Sequence, residues 1–175
     1  MKFATFETAT VRRESPSEQI ILFSVSSQNF AIAATEVQEI RSTYSLSGTA
    51  REIVCPGLAK VRHTIERARQ GYFVVSAAQH FGLPVLRPDL VLILRQFRVA
   101  VLVDRIDRMA GIFAVVPLPK AFTGEERNWY RGLIHIDDQV IPLVEPAGFL
   151  TQQEFGRLEQ VVRDEAEQRL EGASA

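Results

Sequence analysis

One cysteine, Cys55, is all the chain carries, which excludes an intrachain disulfide and suits a reducing compartment. Lysine is scarce as well: of the 20 basic residues, 17 are arginine. Arginine makes forked, directional contacts and is enriched at protein interfaces. No stretch approaches the roughly 18–20 apolar residues of a membrane span. The polar segment 1–16 lacks the apolar run of a secretion signal. A soluble, cytoplasmic protein is the expectation. The net charge is −1, so bulk charge gives no reason to expect nucleic-acid binding.

Catalytic and metal-binding patterns are equally thin. His63, His80 and His135 are scattered, and with a single cysteine they form no converging ligand set. Each histidine is expected on a strand or helix surface. There is no Gly-x-Ser-x-Gly elbow and no glycine-rich phosphate loop. Cys55 stands beside a Pro-Gly turn and reads as inert packing. Asp137-Asp138 sits between two apolar runs and reads as a hairpin turn, not an acid–base pair. Glu125-Glu126 reads as solvated charge. The chain is expected to be no enzyme and to need no cofactor.

What is present is a globular composition, 46% apolar and 23% charged, long enough to bury a core without a staple. Short β-like runs dominate. Residues 19–25 and 30–34 flank a polar break and predict a hairpin. Residues 35–41 suit a single helical turn or a twisted edge, and 42–57 read as loop. Residues 60–66 and 72–75 predict a second hairpin, followed by a short helix over 76–81 that Gly82 stops. The second half repeats the plan: 90–94 with 99–103, a strand at 112–116, and 130–136 with 139–144 across Asp137-Asp138.

The repetition is countable. A shift of 69 positions without gaps carries Leu22 to Val91, Phe30 to Val99, Ile32 to Val101 and Val37 to Ile106. The same shift carries Ile40 to Met109, Arg62 to Arg131, Ile65 to Ile134, and Val74 and Val75 to Leu143 and Val144. A fixed period points to a duplicated unit, hence two similar small β-barrels sharing a core. The expected division is a flexible lead-in at 1–18, a folded region at 19–150 with barrels at about 19–85 and 86–150, and a helical tail at 151–175. In that tail Thr151 and Glu154 form a capping box. Phe155, Leu158, Val162, Ala166 and Leu170 make one apolar face. That face is expected to dock on the barrels, with a partner-binding helix as the other reading.

Lys60, Arg62, Arg67 and Arg69 crowd one hairpin. Residues two apart on a strand share a face, so Lys60 and Arg62 are expected to line one side, continued by Arg67 and Arg69. Two readings stand: a charged edge that blocks aggregation, and a docking surface for an acidic partner.

Over residues 19–150 the chain resembles the CheW-like family. The segment IILFSVSSQNFAIAATEVQEIRS is similar to that family's opening hairpin and its Val-x-Glu-Ile element, here Val37, Glu39, Ile40 and Arg41. LVLILRQFRVAVLVDRIDRM is similar to the hairpin ending in Val-Asp-x-Val, here Val103, Asp104 and Ile106. VPLPKAF and YRGLIHIDDQVIPLVEPAGFL resemble the proline-containing loop and the closing hairpin. The resemblance implies two intertwined, five-stranded SH3-like barrels with short helices. It also implies a non-catalytic adaptor that couples chemoreceptors to the regulatory domain of a CheA-type histidine kinase. Apolar grooves, strand edges and loops would bind the partners, with Val37, Glu39, Ile40, Arg41, Arg62, Arg67, Arg69, Val103, Asp104 and Ile106 as candidate contacts. One turn departs from the pattern. Where the family carries Asn-Leu-Arg-Gly, this chain has Glu66-Arg67-Ala68-Arg69, with His63 at the other glycine position and Ser76 at an aspartate position. A divergent member serving pilus motility or another array, with kinase binding kept and receptor coupling lost, is the second reading. A small β-barrel enzyme or ligand-binding protein is the reading from another class.

Overall fold

The computed structural model describes residues 16–173, so most of the expected lead-in lies outside the described residues. Eleven strands and two helices follow in order. They are β1 (Glu18–Val25), β2 (Gln28–Ala33), β3 (Val37–Ser42), β4 (Ala50–Glu52), β5 (Val61–Arg67), β6 (Gln70–Ser76) and α1 (Ala77–His80). The second half contributes β7 (Leu90–Leu94), β8 (Val99–Val103), β9 (Arg105–Ile112), β10 (Tyr130–Ile136), β11 (Gln139–Val144) and α2 (Gln152–Ala173). Most of these were expected. Three details differ. The segment 35–41 supplies both alternatives in turn, a 3-10 turn at Ala34–Glu36 and then edge strand β3. The expected loop 42–57 hides β4. The expected strand at 112–116 is the end of β9 and a single bridge between Val116 and Leu133.

The strands form two mixed sheets, ordered β10-β11-β2-β1-β9 and β3-β7-β8-β6-β5-β4. Each sheet takes a hairpin from one half and the remaining strands from the other. β9 pairs antiparallel with β1, β3 with β7, β11 runs parallel to β2, and β8 runs parallel to β6. The ladders do not close, and the second sheet has six strands, so the expected pair of closed five-stranded barrels is corrected to two open sheets. They are nevertheless rolled. Arg67 at the end of β5 ion-pairs with Glu39 on the far edge strand β3. Arg108 on edge strand β9 does the same with Asp137 at the opposite edge of its sheet.

The rolled sheets explain the apolar runs. Ile20, Leu22, Ala31, Ile134, Ile141 and Leu143 fill the inside of the first sheet. Val91, Ile93, Ala100, Ile65, Tyr72 and Val74 fill the second. The alternate residues, among them Phe23, Ile32, Val75, Leu92, Leu94 and Val101, point the other way into a core between the sheets. Strands buried on both faces need no polar alternation, hence IILF and LVLIL.

The duplication is visible in backbone devices. β-Bulges fall at Gln38 and Asp107 and again at Arg62 and Arg131, each pair 69 apart. The tight turns Ala68-Arg69 and Asp137-Asp138, also 69 apart, hold both residues at positive φ, as a type I′ hairpin requires. The gapless shift does fail in one place. Leu92 faces Val101 as Ile21 faces Ile32, so β1 corresponds to β7 at 71 positions, and Leu22 matches Ile93 instead of Val91. The second hairpin is two residues shorter. A slip of two keeps every side chain on its face, so the apolar pattern conceals it.

Gly132 on β10 marks a close approach. A Cβ there would lie 2.5 Å from Val115 Cγ1 and 2.5 Å from the Val116 carbonyl oxygen, against the bridge that braces the open edge. Gly132→Ala is expected to cost about 1–3 kcal/mol by overpacking, read as a lower thermal midpoint. An unchanged midpoint would contradict the bracing role.

Candidate protein-interaction site

The ten sequence-predicted residues do not form one patch. Val37 and Val103 are buried in the core between the sheets and present nothing to a partner. Ile106 is half-buried against the same core. Asp104 works as a clamp: its Oδ2 accepts from the Ser26 amide at 2.5 Å, and its own amide donates to the Ser24 carbonyl at 3.0 Å, fixing the β1–β2 turn. The remaining residues lie on the surface. Glu39 on β3 meets Arg41 (Nε to Oε1, 2.5 Å) and Arg67, so three of the candidates make one ionic cluster across the seam of the second sheet. Ile40 stands between Glu39 and Arg41 with 41% of its surface exposed.

The expected basic patch is split, and the cause is the bulge at Arg62, which breaks the two-residue alternation. Lys60 turns toward the tail and pairs with Glu154 at 3.0 Å, and Arg67 pairs with Glu39. Arg62 and Arg69 stay exposed and make no ion pair among the described residues. The equivalent of Arg62 in the second half, Arg131, is held by Glu18. That hydrogen-bonded pairing lowers the Glu18 pKa and raises that of Arg131.

Sequence reasoning missed the largest exposed apolar groups. Tyr44, just beyond β3, is 86% exposed, and Met109 and Phe113, on and just after β9, are each 62% exposed. Ile40 and Met109 are 69 apart, and so are Tyr44 and Phe113. The duplication therefore sets an aliphatic and an aromatic side chain on the outer edge of both sheets. Extending the shift to Tyr44 pairs it with Phe113, but the offset alone does not reveal that either is exposed. The charges beside them are reversed. The seam is Glu39 with Arg67 in one half and Arg108 with Asp137 in the other, and the turns carry Arg69 and Asp138 respectively. Asp137 hydrogen-bonds Arg108 and raises its pKa.

The altered turn keeps its hairpin geometry. At the family's aspartate position, Ser76 caps α1 by accepting from the Gln79 amide at 3.3 Å. The tail docks only in part. Thr151 and Glu154 form the expected capping box, with Thr151 N to Glu154 Oε2 at 2.8 Å and Glu154 N to Thr151 Oγ1 at 3.1 Å. Phe155 packs edge-on to Phe73 at 5.2 Å, and Leu158 is fully buried. Beyond Val161 the helix projects with Val162 and Leu170 exposed.

His80 corrects the expectation of surface histidines. It is buried between Trp129, Phe81 and Phe149, and its Nε2 has no partner. Burial, reinforced by the nearby Lys60 charge, pushes its pKa down to about 3. Burial also raises Tyr130 to about 12. Among the described residues no group of three or more histidine, cysteine, aspartate or glutamate side chains could hold a metal ion. No described helix is long and apolar enough to cross a membrane.

Two rolled mixed sheets share a core and present paired apolar edges. The family model described as CheW-like domain matches residues 19–154, and the chain belongs to that family. No curated protein matches the sequence. Among solved structures, the chain is similar to the scaffolding protein TtCheW from Thermoanaerobacter tengcongensis, at 15% identity and a TM-score of 0.65. The match covers 79% of this chain and 95% of that one. At such low identity the likeness concerns the fold.

The buried histidine has a measurable consequence. The folded state resists protonation of His80 while the unfolded chain accepts a proton near its ordinary value of 6.5. Stability is therefore full above that value and falls as pH drops from about 6 to about 4, by about 1.4 kcal/mol per unit. Denaturant titrations of the native chain and His80→Phe are expected to diverge over that range, with the variant showing the shallower loss. Parallel curves would remove His80 as the cause.

Proposed function

We propose that this chain is a non-catalytic adaptor of a chemotaxis-type signalling system that binds the regulatory domain of a CheA-type histidine kinase. The observation that carries the reading is the duplicated edge, Ile40 with Tyr44 and Met109 with Phe113, on a chain of the CheW-like family. Exposed aliphatic and aromatic groups rimmed by charge are what a specific protein contact uses: the apolar centre supplies affinity and the rim supplies selection. Glu39, Arg41 and Arg67 form the rim on the first edge. Val37, Val103, Asp104 and Ile106 hold the strands that present it. The adaptor reading implies a cytoplasmic site of action.

Coupling to chemoreceptors is the finer part of the proposal, and the turn at residues 66–69 favours a second reading. Ala68 stands where the family carries arginine, and the free guanidinium of Arg69 leaves that turn from the next position. A partner contact built on the family's arginine would lose its hydrogen bonds here. A member that keeps kinase binding and engages a different array component, as in pilus motility, fits that change.

Calorimetric titration against the regulatory domain of a CheA-type kinase from the same organism tests the main reading. Binding is expected, and Ile40→Asp and Met109→Asp are each expected to weaken it about tenfold or more, because a buried carboxylate replaces an apolar contact. No binding between two folded partners would contradict the adaptor role. Intact affinity in both variants would contradict the edges as its site. A receptor cytoplasmic tip titrated in the same way separates the two readings, and gain of binding on Ala68→Arg would support the second.

A further inference from the structure

A groove of about 850 Å³ runs between the projecting part of α2 and the β4–β5–β6 side of the second sheet. Its floor is Ile65, its helical wall is Val162 and Ala166, and Arg51, Arg69 and Arg163 stand around it. Those three guanidinium groups make no ion pair, and neither does the groove's Glu66, whereas Arg98 and Glu159 satisfy each other. Among the described residues, three free cations against one free anion leave the groove positive. Its apolar wall is the continuation of the stripe that seats Leu158 in the core. The groove thus matches an amphipathic helix with an apolar stripe and acidic flanks.

The far half of α2 is itself such a helix. From residue 163 onward it carries Asp164, Glu165, Glu167 and Glu171 against Arg163 and Arg169, with Ala166 continuing the stripe. We propose that two copies of this chain associate symmetrically, the far half of each α2 lying antiparallel in the groove of the other. The geometry closes on itself: the order across the contact is sheet, partner helix, own helix, partner sheet. Such a contact is isologous and stops at a dimer. Val162 and Ala166 would pack against the partner's Val162 and Ala166, while Arg51 and Arg69 would face the partner's Glu167 and Glu171. The proposed contact uses few apolar side chains and several paired charges, so dissociation in about the micromolar range or weaker follows, with strong dependence on salt. The proposal requires no kinase, and it stands or falls separately from the adaptor reading.

Sedimentation equilibrium of the full chain over a concentration series tests it. The mass is expected to rise from 19.6 kDa toward twice that value, and to fall back as salt is added. Val162→Glu and the double variant Arg51→Glu/Arg69→Glu are each expected to weaken association about tenfold or more, with circular dichroism and thermal midpoint unchanged. Adding Glu167→Arg and Glu171→Arg to the double variant is expected to restore it. The two arginines lie on the surface, so that series reads association even if Val162→Glu perturbs the helix. A monomer at every concentration would overturn the proposal. So would a dimer indifferent to the arginine reversals, because its interface would lie elsewhere.

Discussion

The architecture depends on the exchange of edge strands between the two halves of the chain. β3 leaves the first half to pair with β7, and β9 leaves the second half to pair with β1. A hairpin alone exposes too much of its backbone and apolar surface to persist. Here the hairpins β1–β2 and β7–β8 each gain an antiparallel neighbour on one side and a parallel one on the other, all from the opposite half. Ile21, Phe23, Leu92 and Leu94 then face a core that neither half can assemble alone. Fixing α2 onto this core through Leu158, Phe155 and the Lys60–Glu154 pair commits the chain's end to the same unit.

Duplication conserved the backbone and released the charges. Bulges at Gln38 and Asp107, bulges at Arg62 and Arg131, and two type I′ turns recur because strand direction and the rolling of each sheet demand them. Nothing in that demand fixes the sign of a surface ion pair. Glu39 with Arg67 and Arg108 with Asp137 serve equally well as stitches across a rolled sheet. The outcome is two surfaces alike in shape and apolar content but opposite in local charge at the seam turn. On the adaptor reading proposed above, like shape would suit both edges to the same kind of module, and unlike charge would let each reject the other's partner.

Much of this was legible in the residues. The hairpins, the Gly82 stop and the capping box at Thr151 and Glu154 are local, and local chemistry writes them plainly. The repeat was legible because apolar positions on both faces must be kept. Its two-residue slip at β7 was not, since a shift of two alters no face. Strand β4 is short and lies in a Ser- and Gly-containing stretch, so composition reads it as loop. Which strand pairs with which depends on contacts far apart in sequence, and β3 has the same pattern whether it joins β1 or β7; only the family resemblance carried the intertwining. Among the site residues, the family resemblance placed Val37 and Val103 with the candidate contacts, although both are buried. It also missed Tyr44, whose exposure depends on where a short turn leads the chain. His80 follows the same lesson: a histidine in a four-residue helix looks solvated until the loop bearing Trp129 covers it.

If exchanged strands make one cooperative body, neither sheet can open while the other stays closed. Native-state amide hydrogen exchange measured at Ile21 of β1 and Val101 of β8 reads this directly, since each lies in the middle of a different sheet. The account predicts the same opening free energy at both, equal to that of global unfolding and falling in parallel with denaturant. Exchange at one of them through a smaller opening, with the other still protected, would mean that the sheets are separate units and would contradict it.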